Sequence, residues 1–286
     1  MPVSRRSGLH YRETDMAALL DASIVAPPGA ALPSAARLAR IDGDAMPVIG
    51  IATDYPAGHV IASHAHAKGQ LIHAVQGVMV VAAPGGQWIV PPTRGLWVPA
   101  GFAHAIRCIG VVRMRSVWVR PEVAPHLPHE CRAVGISALL RELILEATGI
   151  PTPYEADSRA GRLTALLLDE LHALPVLPLH LPQPTDRRLR RICARLARQP
   201  DDAATLGDWA GRLGIDAKTI QRLFARETGM TFGQWRQQAR LLHGLERLAL
   251  GDKVVDVALA LGYDSPSAFA TMFKRQFGET PSAFFR

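Results

Sequence analysis

The sequence predicts an α+β chain in two folded parts: a β-rich N-terminal portion closed as a barrel or sandwich, and an all-α C-terminal third. Three observations carry this. Short β-like runs broken by Gly/Pro turns fill residues 48–120. One helical pattern recurs at a spacing of 48 to 49 residues near the end of the chain. Charge is unevenly placed: residues 184–286 hold 17 Lys+Arg against 11 Asp+Glu, so nearly all of the net +7 lies there.

In chain order, residues 1–45 form an N-terminal segment, polar and then Ala/Pro-rich, with few structural signals. Residues 46–125 are the β domain. Its predicted strands are Val48–Tyr55, His59–His64, Gln70–Val75, Val78–Ala83, Gln87–Val90, Leu96–Val98, His104–Ile109 and Val111–Val119. Residues 130–175 turn helical. Val134–Thr148 and Tyr154–Leu174 are the expected helices, broken by Gly149-Ile150-Pro151. Residues 176–184 read as a stiff, proline-rich linker. Residues 185–286 are the helical domain.

That domain carries the repeat. Its first copy, about 205–228, places Leu206, Trp209, Ala210 and Leu213 at i, i+3, i+4, i+7, one face of a short helix. Gly214 permits a tight turn and Asp216 can cap the next helix, which points Ile220, Leu223 and Phe224 back to the core. The second copy, about 253–277, repeats this with Val254, Val257, Ala258 and Leu261, then Gly262, Ser265 and Pro266, then Phe269, Met272 and Phe273. Helix, turn, helix is the geometry that sets a second helix into a DNA major groove. Between the copies, Thr231–Leu250 reads as one helix of about 20 residues, roughly 30 Å long, close to the ~34 Å turn of B-DNA. One chain could then dock two recognition helices on one face of double-stranded DNA. The basic charge suits that polyanion.

Composition narrows the class further. Cys108, Cys131 and Cys193 are far apart and form no CxxC pair, which argues against a disulfide framework or zinc finger. Neither an apolar signal core nor an uncharged apolar stretch of about 18 residues occurs, so a cytoplasmic protein with no membrane partner is expected.

The β domain has its own signature. Gly58 is followed by His64, His66, Gln70 and Gly77, and later by Pro99-Ala-Gly101-Phe-Ala-His104. This resembles the cupin pattern, with Gln70 in place of the usual glutamate, Cys108 in place of an asparagine and Thr93 in place of a glycine. Residues i and i+2 of a strand share a face, so His64 and His66 are expected to project together, with Gln70 and His104 opposite. Three imidazoles and one oxygen donor can hold a divalent transition metal. They can equally form the polar floor of an effector pocket. Loss of the glutamate charge is expected to weaken metal retention and to favour an anionic ligand. No acid/base pair accompanies the histidines, so an enzyme is not expected. His59 and His73 read as packing or surface groups.

Taken whole, residues 48–286 resemble the AraC/XylS family of transcription regulators with an N-terminal cupin-like effector domain. The resemblance is most specific over Gly262-Tyr-Asp-Ser-Pro-Ser-Ala-Phe-Ala-Thr-Met-Phe-Lys-Arg-Gln-Phe-Gly-Glu-Thr-Pro-Ser-Ala-Phe-Phe-Arg286, with Thr271 where the family often has arginine. It implies a small-molecule effector and promoter binding, as activator or repressor, with RNA polymerase a candidate partner. Family members often pair through helices placed like 134–174, which implies a homodimer. On the first recognition helix Lys218, Thr219, Gln221, Arg222 and Arg226 face outward. Arg can read guanine and Gln adenine bidentately. On the second, Ser267, Ala268 and Thr271 are short, while Lys274 and Arg275 suit phosphates. Trp209, Phe232, Trp235, Phe269, Phe273 and Phe277 read as core. Two other readings stay open at this point: a cupin enzyme with a DNA-binding tail, and a constitutive DNA-binding protein whose barrel only dimerises.

Overall fold

The computed structural model describes residues 35–172 and 180–284. Most of the N-terminal segment, the end of the second linker helix and part of the proline-rich linker lie outside these residues.

Helix α1 (Ala35–Gly43) precedes an antiparallel sheet of β1 (Val48–Tyr55), β2 (Val60–His64), β3 (Gly69–Ala83), β4 (Gly86–Val90), β5 (Arg94–Val98), β6 (His104–Val119), β7 (Arg132–Gly135) and β8 (His180–Pro182). β3 and β6 are long enough to serve two layers. The last half of β6 lies between β1 and the first half of β3, which also pairs with β5. The first half of β6 lies between β2 and the last half of β3, which also pairs with β4. The sequence reading split each of these strands in two. The structure joins them, because a bulge bends a strand without ending it. Register shifts in β3 bracket Gln76, next to Gly77 at φ 79°, and Gly110 in β6 sits at φ 69°. A Cβ on Gly77 would lie 2.3 Å from the Val111 carbonyl oxygen, so this bend accepts glycine only.

Helices α2 (Ala138–Ala147) and α3 (Arg159–His172) pack on the outside of the sheet. Leu140, Ile144 and Leu167 share an apolar cluster with Val48, Leu71, Trp97 and Val117. The expected helix from Val134 is corrected: Arg132–Gly135 extends the sheet on β5, and α2 begins only where Ser137 Oγ accepts from the Leu140 N–H. The expected helix from Tyr154 likewise starts later, at Arg159. The Tyr154 hydroxyl donates to the Val48 carbonyl at 2.8 Å and pins the preceding loop.

The C-terminal domain comprises α4 (Arg187–Arg198), α5 (Leu206–Leu213), α6 (Ala217–Thr228), α7 (Phe232–Ala249), α8 (Val254–Ala260), α9 (Pro266–Phe277) and α10 (Pro281–Phe284). Each helix-turn-helix closes as the sequence dictates. Gly214 and Gly262 adopt positive φ at the turns. Asp216 accepts from the Lys218 N–H, and Ser265 from the Ala268 N–H. A capping box of Thr231 and Gln234 starts α7. Ile220, Leu223, Phe224, Trp235, Phe269, Met272 and Phe273 are buried. Among the described residues no helix is long and apolar enough to cross a membrane. The three cysteines are buried and free, and burial pushes the Cys108 and Cys131 thiols up to about 12.

The expected linker is in part not a linker. Its residues His180–Pro182 pair with β4, so the chain re-enters the sheet before it leaves for α4. One apolar cluster then runs without a break from barrel residues such as Val80 and Ile89 through Leu181 to Trp235 and Leu242 of α7.

Candidate nucleic-acid interface and histidine floor

The recognition helices present the polar faces that their sequences require. In α6 the apolar set at i, i+3, i+4 is turned inward, which leaves Lys218, Gln221, Arg222 and Arg226 exposed and Thr219 half-buried. Arg226 contacts Glu227 at 3.0 Å, which leaves Lys218, Gln221 and Arg222 as the freer face. In α9, Ser267, Ala268, Thr271, Lys274 and Arg275 are all exposed. Between them α7, at 18 residues and about 1.5 Å per residue, spans roughly 27 Å. The aromatic residues expected in the core are there, with Phe277 half-buried and the other five buried.

Inside the sheet, His64, His66 and His104 converge, each offering one ring nitrogen, with these atoms within 4.8 Å of one another. His64 ends β2 and stands opposite His104 at the start of β6. Their ring centroids are 4.4 Å apart. His66 lies just past the end of β2, not on the strand face expected for it, yet its ring still reaches the cluster, 5.2 Å from His104. Gln70, at the start of β3, joins through His66. Its Oε1 lies 3.0 Å from His66 Nε2, and its Nε2 donates to Ser116 Oγ at 3.1 Å.

The backbone sets the tautomers. Nδ1 of His64, His66 and His104 faces the carbonyl oxygens of Ala62, Lys68 and Phe102 at 2.9, 2.5 and 3.1 Å. A carbonyl only accepts, so each Nδ1 carries a proton; where burial also keeps the ring neutral, as in His64 and His104, Nε2 is left with a lone pair. Burial lowers the His64 pKa, and burial with the neighbouring His64 lowers that of His104 to about 3. His104 Nε2 is buried with no partner. These are metal-ligand features, since a ligating histidine donates its other ring N–H to a fixed acceptor. His66 Nε2 and Gln70 Oε1 lie at hydrogen-bond distance, a contact that an ion would have to replace. The set therefore fits a divalent transition metal after a small closure of the rings. It does not suit the anionic ligand expected from Gln70, because bare imidazole lone pairs repel an anion. Of the two histidines read as packing or surface groups, His59 stacks on Tyr55 at 4.8 Å, and His73 is fully buried with Nδ1 on the Arg94 carbonyl and Nε2 without a partner.

A seam joins the two parts, and sequence reasoning missed it. Arg107 on β6 forms an ion pair with Glu246 on α7 at 2.5 Å, with side chains only 7% and 4% exposed. Trp235 Nε1 donates to the Pro182 carbonyl at 2.8 Å, and Gln238 Nε2 to the His180 carbonyl at 3.4 Å. His180 stacks on Trp88 at 4.6 Å. A cavity of about 20 Å³, enough for one water, lies against Gln87, His243 and Glu246. One signal was legible: Arg107 is a lone charge in the apolar run 105–112.

Known proteins place this arrangement. Residues 47–174 match the model of the AraC-like ligand binding domain, and residues 209–286 that of a helix-turn-helix domain. The chain is 38% identical over 221 residues to the HTH-type transcriptional regulator NimR of Escherichia coli K12, covering 77% of this chain and 81% of that one. The chain belongs to the AraC family of helix-turn-helix transcription regulators. It is a DNA-binding regulator with a ligand-binding domain, and not an enzyme. The HTH-type transcriptional regulator RipA of Corynebacterium glutamicum is 33% identical over 103 residues, 36% of this chain and 31% of that one. Among solved structures, ToxT of Vibrio cholerae aligns over 84% of this chain and 98% of its own at TM-score 0.36 and 9% identity. The AraC-like ligand-binding match runs to residue 174 and so takes in α2 and α3, in keeping with their packing on the sheet.

Proposed function

We propose that this AraC-family protein reads promoter DNA through Lys218, Gln221 and Arg222 of α6, with Thr219 and Arg226 beside them. In the same reading α9 supplies short contacts from Ser267, Ala268 and Thr271 and phosphate contacts from Lys274 and Arg275. The observation that carries it is the exposure of both polar faces while the apolar faces of the same helices are buried. Pairing of two chains through α2 and α3 is part of the proposal, supported by Leu139 and Leu166, which are 48% and 42% exposed on those helices. RNA polymerase is the partner that promoter binding would bring.

The small-molecule signal is received, in this proposal, at the floor of His64, His66, Gln70 and His104. The unpartnered Nε2 of His104, with the ring nitrogens of His64 and His66 beside it, suits an electron-pair acceptor: a divalent transition metal, or an effector that presents N–H or O–H donors. A bound ion would supply a Lewis-acid centre to hold an effector in place. Sequencing of the DNA bound by the full chain, with and without added zinc or nickel, tests both halves. Enrichment of one motif that shifts in occupancy with the metal is the expected result. Recovery of no motif would overturn the DNA reading, and occupancy indifferent to metal and to effector extracts would overturn the sensing role of the floor.

A further inference from the structure

A strongly basic surface lies off the recognition helices. α4 carries six arginines in twelve residues, arranged so that Leu189, Ile192, Cys193, Leu196 and Ala197 are buried. Between α4 and α5 lies an open cleft of about 540 Å³, lined by Arg191, Arg195, Arg198, Arg212 and Trp209. All four arginines are exposed.

The nearby acids are already engaged. Asp202 pairs with Arg195 at 2.9 Å. Asp208 accepts from the backbone N–H and the hydroxyl of Thr205, closing a capping box. Among the described residues Arg191, Arg198 and Arg212 form no ion pair. Arg212 instead lies over the Trp209 ring at 4.9 Å, and the indole N–H of Trp209 is buried without a partner. Compensation of the α4 dipole accounts for Arg195 and Arg198, which stand in its last turn. The dipole of α5 likewise accounts for Arg212 in its last turn, but neither dipole accounts for Arg191.

We infer that this cleft is a second DNA contact, gripping backbone phosphates beside the groove that α6 enters. The inference rests on the DNA-binding reading above. Its position favours DNA over an acidic protein. α5 is the first helix of a helix-turn-helix, the one that crosses the backbone while the second reads bases. Arg212 is six residues from Lys218, across the Gly214 turn. Guanidinium forks match phosphate oxygens bidentately. Contacts of this kind carry affinity without sequence information.

The test is a salt titration of the full chain on a random-sequence 40-bp duplex, read by fluorescence anisotropy. Each lost phosphate contact removes about 0.9 from the slope of log K against log salt. Arg191→Gln/Arg198→Gln/Arg212→Gln should therefore lower the slope by about 2.7. The affinity loss between 50 and 200 mM salt should shrink roughly 40-fold relative to wild type. The matching triple Lys variant should keep the wild-type slope, and both should melt at the wild-type temperature because the three side chains are exposed. A triple Gln variant with the wild-type slope would overturn the inference and leave the cleft to an acidic protein surface. A wild-type chain that binds no duplex even at about 50 mM salt would instead overturn the DNA reading itself, and this inference with it.

Discussion

Substituting Glu246 by Gln should unfasten the seam. The carboxylate and the Arg107 guanidinium are 2.5 Å apart and more than nine-tenths buried. Arg107 cannot shed its charge, so the variant leaves a buried cation facing a neutral amide. Removing one partner of such a pair costs about 3–5 kcal/mol. The Gln amide oxygen can still accept one hydrogen bond from the guanidinium, worth roughly 1.5–3 kcal/mol. The expected loss is therefore about 1.5–2 kcal/mol, and Glu246→Ala should lose the full ~3–5 kcal/mol. The double variant Arg107→Met/Glu246→Leu should regain most of it, because an apolar pair of similar volume needs no desolvation. Urea unfolding followed by tryptophan fluorescence suits the question, since Trp88 and Trp235 both lie at the seam. In the single variants the sheet and helical domains should unfold in two separated transitions. A Glu246→Ala loss below about 1 kcal/mol would refute the reasoning, because that is the value of a solvated pair and the domains would then not be docked in solution.

Arg222→Ala should weaken specific binding by about 1–3 kcal/mol and relax one base position, whereas Lys274→Ala should weaken all sequences alike; competition binding on a mapped site separates them. Leu139→Asp/Leu166→Asp should weaken self-association by at least about two orders of magnitude, given about 1.5–3 kcal/mol per buried leucine, and sedimentation at tens of micromolar that finds wild type monomeric would refute the pairing. Elemental analysis should find zinc, nickel or iron below one per chain, and His104→Ala should remove it; an ion retained stoichiometrically through chelation would refute a weak site. Burial lowers His64, His104, His180 and His243 below 6.5. The unfolded chain therefore takes up protons first, and stability should fall as pH drops from 6.5 toward 5, by at most about 1.4 kcal/mol per pH unit for each histidine. His104→Gln should flatten that slope in urea midpoints, and an unchanged slope would mean that His104 is not buried neutral.

The helical domain was legible nearly to the residue, because short-range chemistry decides it: Gly214, Asp216, Ser265 and Thr231 act on neighbours two to four positions away. The histidine cluster was legible as a residue set but not in its geometry. His66 reaches the site from beyond the strand end, and the carbonyls that fix the tautomers have no sequence signature. β3 and β6 were misread because Gly77 and Gly110 look like turn residues, while the pairing that carries the strands through them is long-range. His180–Pro182 was misread for the same reason: three prolines nearby mask a strand that exists only because β4 offers an edge. Arg107 and Glu246 lie 139 positions apart, and nothing local marks them as partners.

The strand that holds His104 also holds Arg107. Three positions apart, they point to opposite faces, the histidine into the sheet and the arginine toward α7, separated by about 10 Å along the strand. Both faces of this half of β6 are buried, one by the barrel interior and one by the helical domain. A group that draws the three imidazoles together therefore acts on the element that carries the seam. How far it can act is set by its differential affinity for the docked and undocked forms: a swing from 1:99 to 99:1 needs about 5.5 kcal/mol. A seam held by a large net ion-pair energy would resist that swing. The Arg107–Glu246 pair does not supply such energy, because undocking returns both charges to water and the desolvation cost roughly cancels their attraction. Its effect is on register: any other placement of α7 on β6 strands a charge, so the seam has one docked geometry. What holds it there is the apolar surface that the barrel and α7 share, and a ligand moves the seam only by as much as its affinities for the two forms differ.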